Sequence, residues 1–113
     1  MNELQMLHYD EYIPVRYVLL DDNTWWVMRA VCLILGLECS LKTARLLDNS
    51  CMQDVMSRET FGFDAGRQRR FAVINQAGIM ILMLHSASPE AVPFNQWLHN
   101  EALPTIIKQE VST

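Results

Sequence analysis

The sequence predicts an α+β fold: a small antiparallel sheet of hairpins covered by several short helices. Apolar residues alternate around Val15 and Tyr17 and are followed by the turn residues Asp21-Asp22-Asn23, as in the first half of a hairpin. A second strand pattern, residues 69–74, runs directly into Asn75, a residue type that caps helices. The remaining apolar segments are short, which favours several short helices over a few long ones.

The first half of the chain is predicted to hold one hairpin and two helices. Residues 13–20 form the first strand and residues 24–28 return as its partner. Residues 29–35 form a short apolar helix that Gly36 closes in the left-handed conformation. Ser40 is expected to cap a second helix through residue 47, with Leu41, Ala44 and Leu47 on one face.

The second half is predicted to hold a hairpin and two further helices. Residues 51–61 fit either a helical turn or a strand, and residues 62–66, with two glycines, form a loop. Residues 75–84 form a helix. The Ser88-Pro89-Glu90 sequence starts the last helix, since serine caps and proline suits the first position. Pro104 is expected to end or kink that helix, and Trp97 to anchor the core.

Length and composition predict one packed domain. Of the 113 residues, half are hydrophobic and 19% are charged. We assign residues 13–110 to the domain, residues 1–12 to an N-terminal extension and residues 111–113 to a tail. The start lacks a signal-peptide pattern, and the longest apolar runs fall short of the ~20 residues that span a bilayer. A cytoplasmic protein without a membrane partner is expected.

Metal, cofactor and catalytic motifs are missing from the sequence. The three cysteines lack a Cys-x-x-Cys spacing and the three histidines are scattered, so we expect reduced thiols, no metal and no cofactor. The chain has no Gly-x-Ser-x-Gly elbow, no His-Glu-x-x-His and no phosphate-binding glycine loop followed by lysine. The sequence therefore predicts a protein that is not an enzyme.

Charge is distributed unevenly. The net charge of −4 argues against unaided, nonspecific affinity for a polyanion. Residues 29–70, however, carry seven bases against five acids, whereas both flanking segments are acidic. Any contact with an anion is therefore expected in this middle segment.

The order of signals along the chain resembles the Bro-N domain, the N-terminal module of phage antirepressors and of baculovirus BRO proteins. The C-terminal half of that domain is similar to this series: a strand at 70–74, Asn75-Gln76-Ala77-Gly78, an apolar stretch at 79–84, Ser88-Pro89-Glu90-Ala91, Trp97 and Glu101-Ala102-Leu103-Pro104. The N-terminal half has counterparts in residues 15–20, Trp25-Trp26-Val27, residues 31–35, Gly36-Leu37 and residues 40–47. Where the family usually has a Lys-Asp pair, this chain has Arg29-Ala30, and the last helix contains Pro93.

The resemblance implies a phage or prophage regulator acting in the cytoplasm of a bacterial host. In one mechanism, the antirepressor-like protein binds a phage repressor protein and removes it from its operator. In the alternative, the domain binds DNA itself as a transcriptional regulator. The acidic total favours the first. A third interpretation is a host-directed interaction protein that uses the same fold.

Two segments are candidate binding sites. Residues 31–47 have a helix–glycine–helix outline that would present Lys42, Thr43 and Arg45 to DNA; the alternative is a helical hairpin with ordinary solvated charges. The second segment is a glycine-containing hairpin that carries Phe63 and a group of arginines. Such an arm can contact a phosphate backbone or an acidic partner protein. The arginines are Arg58, Arg67, Arg69 and Arg70. The alternative for this hairpin is a polar tip that arginine keeps soluble.

The adjacent Trp25 and Trp26 are candidates for an interface. Neighbouring residues on a strand face opposite ways, so one of the two rings is expected to be partly exposed. Together with the half-apolar composition, this makes a homodimer a possible assembly.

Overall fold

The computed structural model describes residues 2–111, with side chains over 2–110, and confirms the α+β fold. Within this range an antiparallel sheet has the order β1-β2-β3-β5-β4. The strands are β1 (Gln5–Tyr9), β2 (Ile13–Leu20), β3 (Asn23–Val27), β4 (Met52–Arg58) and β5 (Gln68–Ile74). The helices are α1 (Met28–Leu35), α2 (Leu41–Ala44), α3 (Gln76–Leu84), α4 (Ala91–Trp97) and α5 (Leu103–Val111).

The predicted hairpin of β2 and β3 is confirmed. Its two turn residues, Asp21 and Asp22, have φ values of 51° and 66°. Left-handed residues at both turn positions give the turn the twist that a two-residue hairpin needs. The β1–β2 connection has three residues, since Tyr9 pairs with Ile13, and Asp10 and Glu11 in it also have positive φ values, 53° and 65°.

Residues 5–9 belong to the sheet, although the sequence places them in an N-terminal extension. They form the edge strand β1, paired with β2 in a register that sets Leu7 opposite Val15. Tyr9 at its end is 5% exposed and packs edge-on against Phe94 and Trp97. Of the tail predicted at residues 111–113, Val111 ends α5, while Ser112 and Thr113 lie outside the described residues.

One face of the sheet carries the main core. Trp26, Val15 and Ile74 from the strands are fully buried there. Helices α1, α3, α4 and α5 cover this face with the buried side chains of Val31, Ile79, Leu82, Phe94, Leu98 and Ile106. Trp97, 9% exposed, confirms its predicted place in the core.

The opposite face of the sheet carries a smaller apolar cluster. Its buried members are Val18, Val27, Val55, Phe71 and Val73, and Leu4, Leu20 and Trp25 pack against them. The N-terminal segment adds to this cover, since the Asn2 N–H donates to the carbonyl of Met56 on β4. Trp25 and Trp26 therefore point to opposite faces, as the strand geometry predicts.

Local capping signals place several helix ends as predicted. Gly36 ends α1 with φ 67°. The Asn75 side chain accepts the Gly78 N–H at 2.9 Å at the start of α3, and Ser40 accepts the Thr43 N–H at 3.4 Å at the start of α2. Ser88 accepts the Glu90 N–H, although α4 begins only at Ala91.

The second predicted helix, residues 40–47, is wrong in its length. The α-helix is a single turn, Leu41–Ala44, after which Leu46 and Leu47 donate to carbonyls three residues back and tighten the backbone. Of the predicted apolar face, Ala44 packs against the core and Leu47 is buried in it, but Leu41 is 77% exposed, so the prediction is wrong at Leu41. Thr43, which was not predicted to face the core, is buried.

Pro104 does not end the helical structure. The five residues Leu98–Ala102 form a π-helical segment between α4 and α5, and Pro104 is the second residue of α5. Proline lacks the N–H that an α-helix interior needs. Leu103, the residue before it, donates its N–H to the Leu98 carbonyl five residues back, so the missing donor falls where the hydrogen-bond pattern changes from π-helical to α-helical.

Residues 51–61, which fit two conformations, form a short 3₁₀ turn and then β4. This strand pairs along its whole length with β5, from Met52 opposite Ile74 to Arg58 opposite Gln68. Among the helices of residues 2–111, none has the length and apolar character needed to cross a membrane.

Candidate functional site: a hairpin arm and the cleft at its base

The hairpin of β4 and β5 extends past the end of the short strand β3; we call residues 58–70 the arm. The Glu59 N–H donates to the Arg67 carbonyl at 2.8 Å, and the Gly66 N–H donates to the Glu59 carbonyl at 2.7 Å. These two bonds close the tip loop. Gly66 has φ 88°, and a Cβ there would meet nothing within 4 Å, so glycine is required by the backbone conformation alone.

The tip of the arm presents aromatic rings and arginines to solvent. The Phe63 ring is fully exposed, and Phe61 is 43% exposed. Arg67 pairs loosely with Asp64 at 3.7 Å, both side chains being largely exposed, and Arg58 donates to the Gly66 carbonyl at 2.9 Å. The fold thus places the predicted residues Phe63, Arg58 and Arg67 on one closed loop.

The base of the arm is held by a buried carboxylate, Glu59. Its side chain is 8% exposed and binds two guanidinium groups, Arg16 at 2.8 Å through Oε1 and Arg69 at 2.9 Å through Oε2. The backbone N–H groups of Thr60 and Phe61 also donate to Oε1. Arg16 comes from β2, so this network ties the arm to the body of the domain.

The network favours the charged carboxylate. Burial by itself raises the pKa of Glu59, but the hydrogen bonds and positive charge of Arg16, together with the backbone N–H groups that follow Glu59, outweigh it and lower the pKa. Aromatic rings hold the arginines: the Arg16 guanidinium lies 4.9 Å from the Phe61 centroid and 5.1 Å from that of Phe71, which Arg69 also approaches at 5.1 Å. Arg69, a predicted binding residue, is therefore also part of the support of the arm.

A cleft of about 290 Å³ lies at the base of the arm. It opens because β3 ends at Val27 and pairs with β5 at only two positions, while β2 and β5 continue on either side. The first residues of α1 contribute to its lining. Its charged side chains are those of Arg16, Arg29, Arg69, Arg70, Asp54 and Glu59, and the Cys39 residue also lines it.

The remaining predicted site residues lie elsewhere. Lys42 and Arg45 are exposed on and just after the single-turn helix α2, outside the lining of the cleft. A single turn does not supply the recognition helix of a helix-turn-helix motif, which lies along the major groove. Trp26 is fully buried against Tyr17 and Trp97, so it offers no surface for an interface, whereas Trp25 is half-buried on the opposite face.

The sequence did not reveal the roles of Arg16, Glu59 and Arg29. Arg16 and Glu59 are 43 residues apart, and no local pattern links them. One signal was present: Arg16 is the single base in the acidic first 28 residues. In the part of the chain with described side chains, no group of three or more His, Cys, Asp or Glu residues has the proximity to hold a metal ion.

Comparison with known proteins shows the family to which this chain belongs. The family model described as the BRO family, N-terminal domain, matches residues 14–104, from β2 into α5. A protein of Haemophilus influenzae that carries the description "Uncharacterized protein" is 36% identical over 98 residues, which are 85% of this chain and 46% of that protein. The chain thus spans about half the length of this relative. No solved structure matches the chain. Over most of its length the chain belongs to the BRO family N-terminal domain, Bro-N.

Proposed function

We propose that this chain is a phage or prophage regulatory protein that acts as an antirepressor, binding a repressor protein through the tip of its arm. Bro-N membership supports a regulatory role, either antirepressor-like or DNA-binding. The observation that carries the choice is Phe63, a fully exposed aromatic ring on a loop with Arg58 and Arg67. Aromatic residues, phenylalanine included, and arginine are enriched in protein–protein interfaces.

Direct binding of DNA is the second candidate function. It is favoured by the concentration of arginines on the arm, since a hairpin of this kind can reach a phosphate backbone. Two observations reduce that capacity. Arg69 is already paired with the buried Glu59, and the chain as a whole carries a net charge of −4. We therefore place the repressor first.

The test begins with tagged protein used as bait in a lysate of the native lysogen, followed by identification of the captured protein. Binding of the purified repressor is then measured for Phe63→Ala. Loss of a central aromatic anchor should weaken binding by about 30-fold or more. Leu84→Ala is the matched control, because Leu84 is an apolar residue that is 86% exposed at the end of α3.

The control should change the affinity for the repressor by less than about threefold, as for residues outside an interface core. Both variants should retain the wild-type melting temperature, since both side chains are exposed. Failure to capture a repressor, or equal affinity of the wild-type and Phe63→Ala proteins, would overturn the proposal.

A further inference from the structure

We propose that the cleft at the base of the arm binds an acidic segment of the partner protein, with Arg29 and Arg70 as the residues that contact its carboxylates. This inference rests on the proposed function, because it specifies the chemistry of the protein that the arm binds. The cleft adjoins the tip, because Phe61 of the tip loop stacks on Arg16, which lines the cleft. A protein that contacts the tip can therefore place an acidic segment at the cleft.

The charges of the cleft are only partly neutralised within the chain. Four arginines line it against two carboxylates, Asp54 and Glu59. Glu59 is saturated by Arg16 and Arg69. The side chains of Arg29 and Arg70 make neither a hydrogen bond nor an ion pair with any residue between 2 and 110, and both residues are exposed. Two guanidinium groups at the same cleft therefore retain their full donor capacity.

The position of Arg29 is electrostatically unfavourable for the isolated domain. It lies in the first turn of α1, where the helix dipole is positive, and this turn contains no acidic residue. The residue before the helix, Val27, provides no side-chain cap. An anion in the cleft would offset the positive charge of Arg29 at this helix end. The helix end adds to the positive potential there, but the arginines supply the contacts.

The surroundings favour a short acidic peptide over a nucleic acid. A DNA duplex carries one negative charge per about 1.7 Å of its axis. A duplex lying across this molecule would extend well beyond the cleft, so many of its phosphates would lie outside it. The molecule measures 35 × 30 × 28 Å, and its hairpin turns at Asp10-Glu11 and Asp21-Asp22 are acidic. A short segment keeps its carboxylates in the cleft, and the planar guanidinium group matches a carboxylate with two parallel hydrogen bonds.

The first experiment titrates the full chain and follows the Nε–Hε signals of Arg29 and Arg70 by NMR. Three probes are used: an acetylated, amidated peptide Asp-Glu-Phe-Asp-Glu, inorganic phosphate, and a 12-base-pair duplex. We expect the peptide to shift both signals saturably below about 10 mM, the range of weak specific contacts, with an affinity that salt reduces. The absence of any shift with the peptide, or tighter binding of phosphate or the duplex at these two arginines, would overturn the inference.

The second experiment uses the double variant Arg29→Glu with Arg70→Glu. It should abolish the peptide-induced shifts and weaken binding of the captured repressor by about tenfold or more. Lys42→Glu with Arg45→Glu is the matched control, since it makes the same change in net charge at two exposed residues outside the cleft. The control should stay within about threefold of wild type. Equal losses in the two double variants would show a general charge effect and contradict the site.

Failure of this inference and failure of the proposed function give different results. If Phe63→Ala weakens repressor binding and the Arg29/Arg70 variant does not, the tip binds the repressor and the cleft does not contribute. If no repressor is captured, the antirepressor function fails, and the peptide titration still decides whether the cleft accepts carboxylates. Circular dichroism melting of each variant verifies that its fold is retained.

Discussion

At the scale of single residues, the Glu59 carboxylate links the arm to the body of the domain through Arg16. This carboxylate joins guanidinium groups from two different strands and also accepts two backbone N–H groups of the tip loop. A buried carboxylate with this many donors is stabilised in its charged form, and removal of its charge leaves donors without a partner. The exposed tip thus depends on a buried ion network, and a binding variant has to leave this network intact.

We expect Glu59→Gln to destabilise the protein by about 1–3 kcal/mol at neutral pH, because an amide cannot accept hydrogen bonds from both arginines. The folded pKa of Glu59 lies below its ordinary value of 4.5. The charged Glu59 carboxylate therefore contributes its full stabilisation of the fold when the pH is above 4.5, and this stabilisation is lost as the pH falls through the folded pKa. Chemical denaturation from pH 7 to pH 3 should show the wild-type and variant stabilities converging in acid.

Asp54→Asn is the control for this prediction. Asp54 is an exposed carboxylate at the same cleft and has no ion pair with another residue of the described range. The free energy of unfolding of Asp54→Asn should stay within about 0.5 kcal/mol of that of the wild type across the same pH range. A constant difference between wild type and Glu59→Gln down to pH 3 would contradict the role of the charged carboxylate.

At the scale of elements, α4 anchors the helical layer on the sheet through aromatic contacts. The Trp97 ring stacks with Phe94 at 5.7 Å between centroids and approaches Tyr9 of β1 at 5.5 Å and Trp26 of β3 at 6.3 Å. Through this ring α4 contacts both the edge and the centre of the sheet. Such contacts add to the free energy of burying a large apolar side chain.

Trp97→Ala should destabilise the fold by about 3–5 kcal/mol, since the burial of the ring is lost and a cavity remains. Pro104→Ala is the comparison variant and should have a smaller effect. Pro104 is exposed, and the helical structure already continues through it. Thermal and denaturant unfolding measure both changes. Unchanged stability of Trp97→Ala would mean that α4 is not a core element.

Elements defined by local chemistry were predictable from the sequence, and those defined by distant partners were not. Gly36 and Asn75 act on backbone groups within three or four residues, so their roles follow from residue type. By contrast, β1 becomes a strand by pairing with β2, and residues 52–58 become a strand by pairing with β5. The π-helical segment before Pro104 was likewise not predicted, because no local pattern in the sequence distinguishes it from an α-helix.

The candidate site divides in the same way. Phe63, Arg58 and Arg67 were predictable because a glycine-containing hairpin tip is recognisable from composition. The cleft was not, since it exists where β3 ends before its neighbours and is lined by residues from five separate segments. The sequence predicted Trp26 as an interface candidate, and the structure buries it. Residue type alone does not show which face of a strand packs on the core.

At the scale of the whole molecule, the positive arm and cleft belong to a chain with a net charge of −4. Local arginines can therefore contact a small acidic surface without giving the molecule a general attraction for polyanions. The homodimer suggested by the composition stays a prediction, and so does a contact of the half-buried Trp25 in that homodimer. The absence of a cofactor also stays a prediction.

The final prediction separates protein binding from DNA binding through charge. At physiological salt the wild-type protein should bind short duplexes weakly, since the acids outside the arm oppose the approach of phosphates. Arg67→Glu should reduce repressor binding, with Arg45→Glu as the control of equal charge outside the arm. Arg69 is unsuitable for this test, because a glutamate there would face Glu59 and disrupt the base of the arm. Electrophoretic mobility shifts over a range of salt concentrations provide the measurement. Sequence-specific duplex binding by the wild-type chain at about 10 nM or tighter, with a salt dependence that Arg67→Glu lowers by about one unit of slope, would establish the DNA-binding function instead.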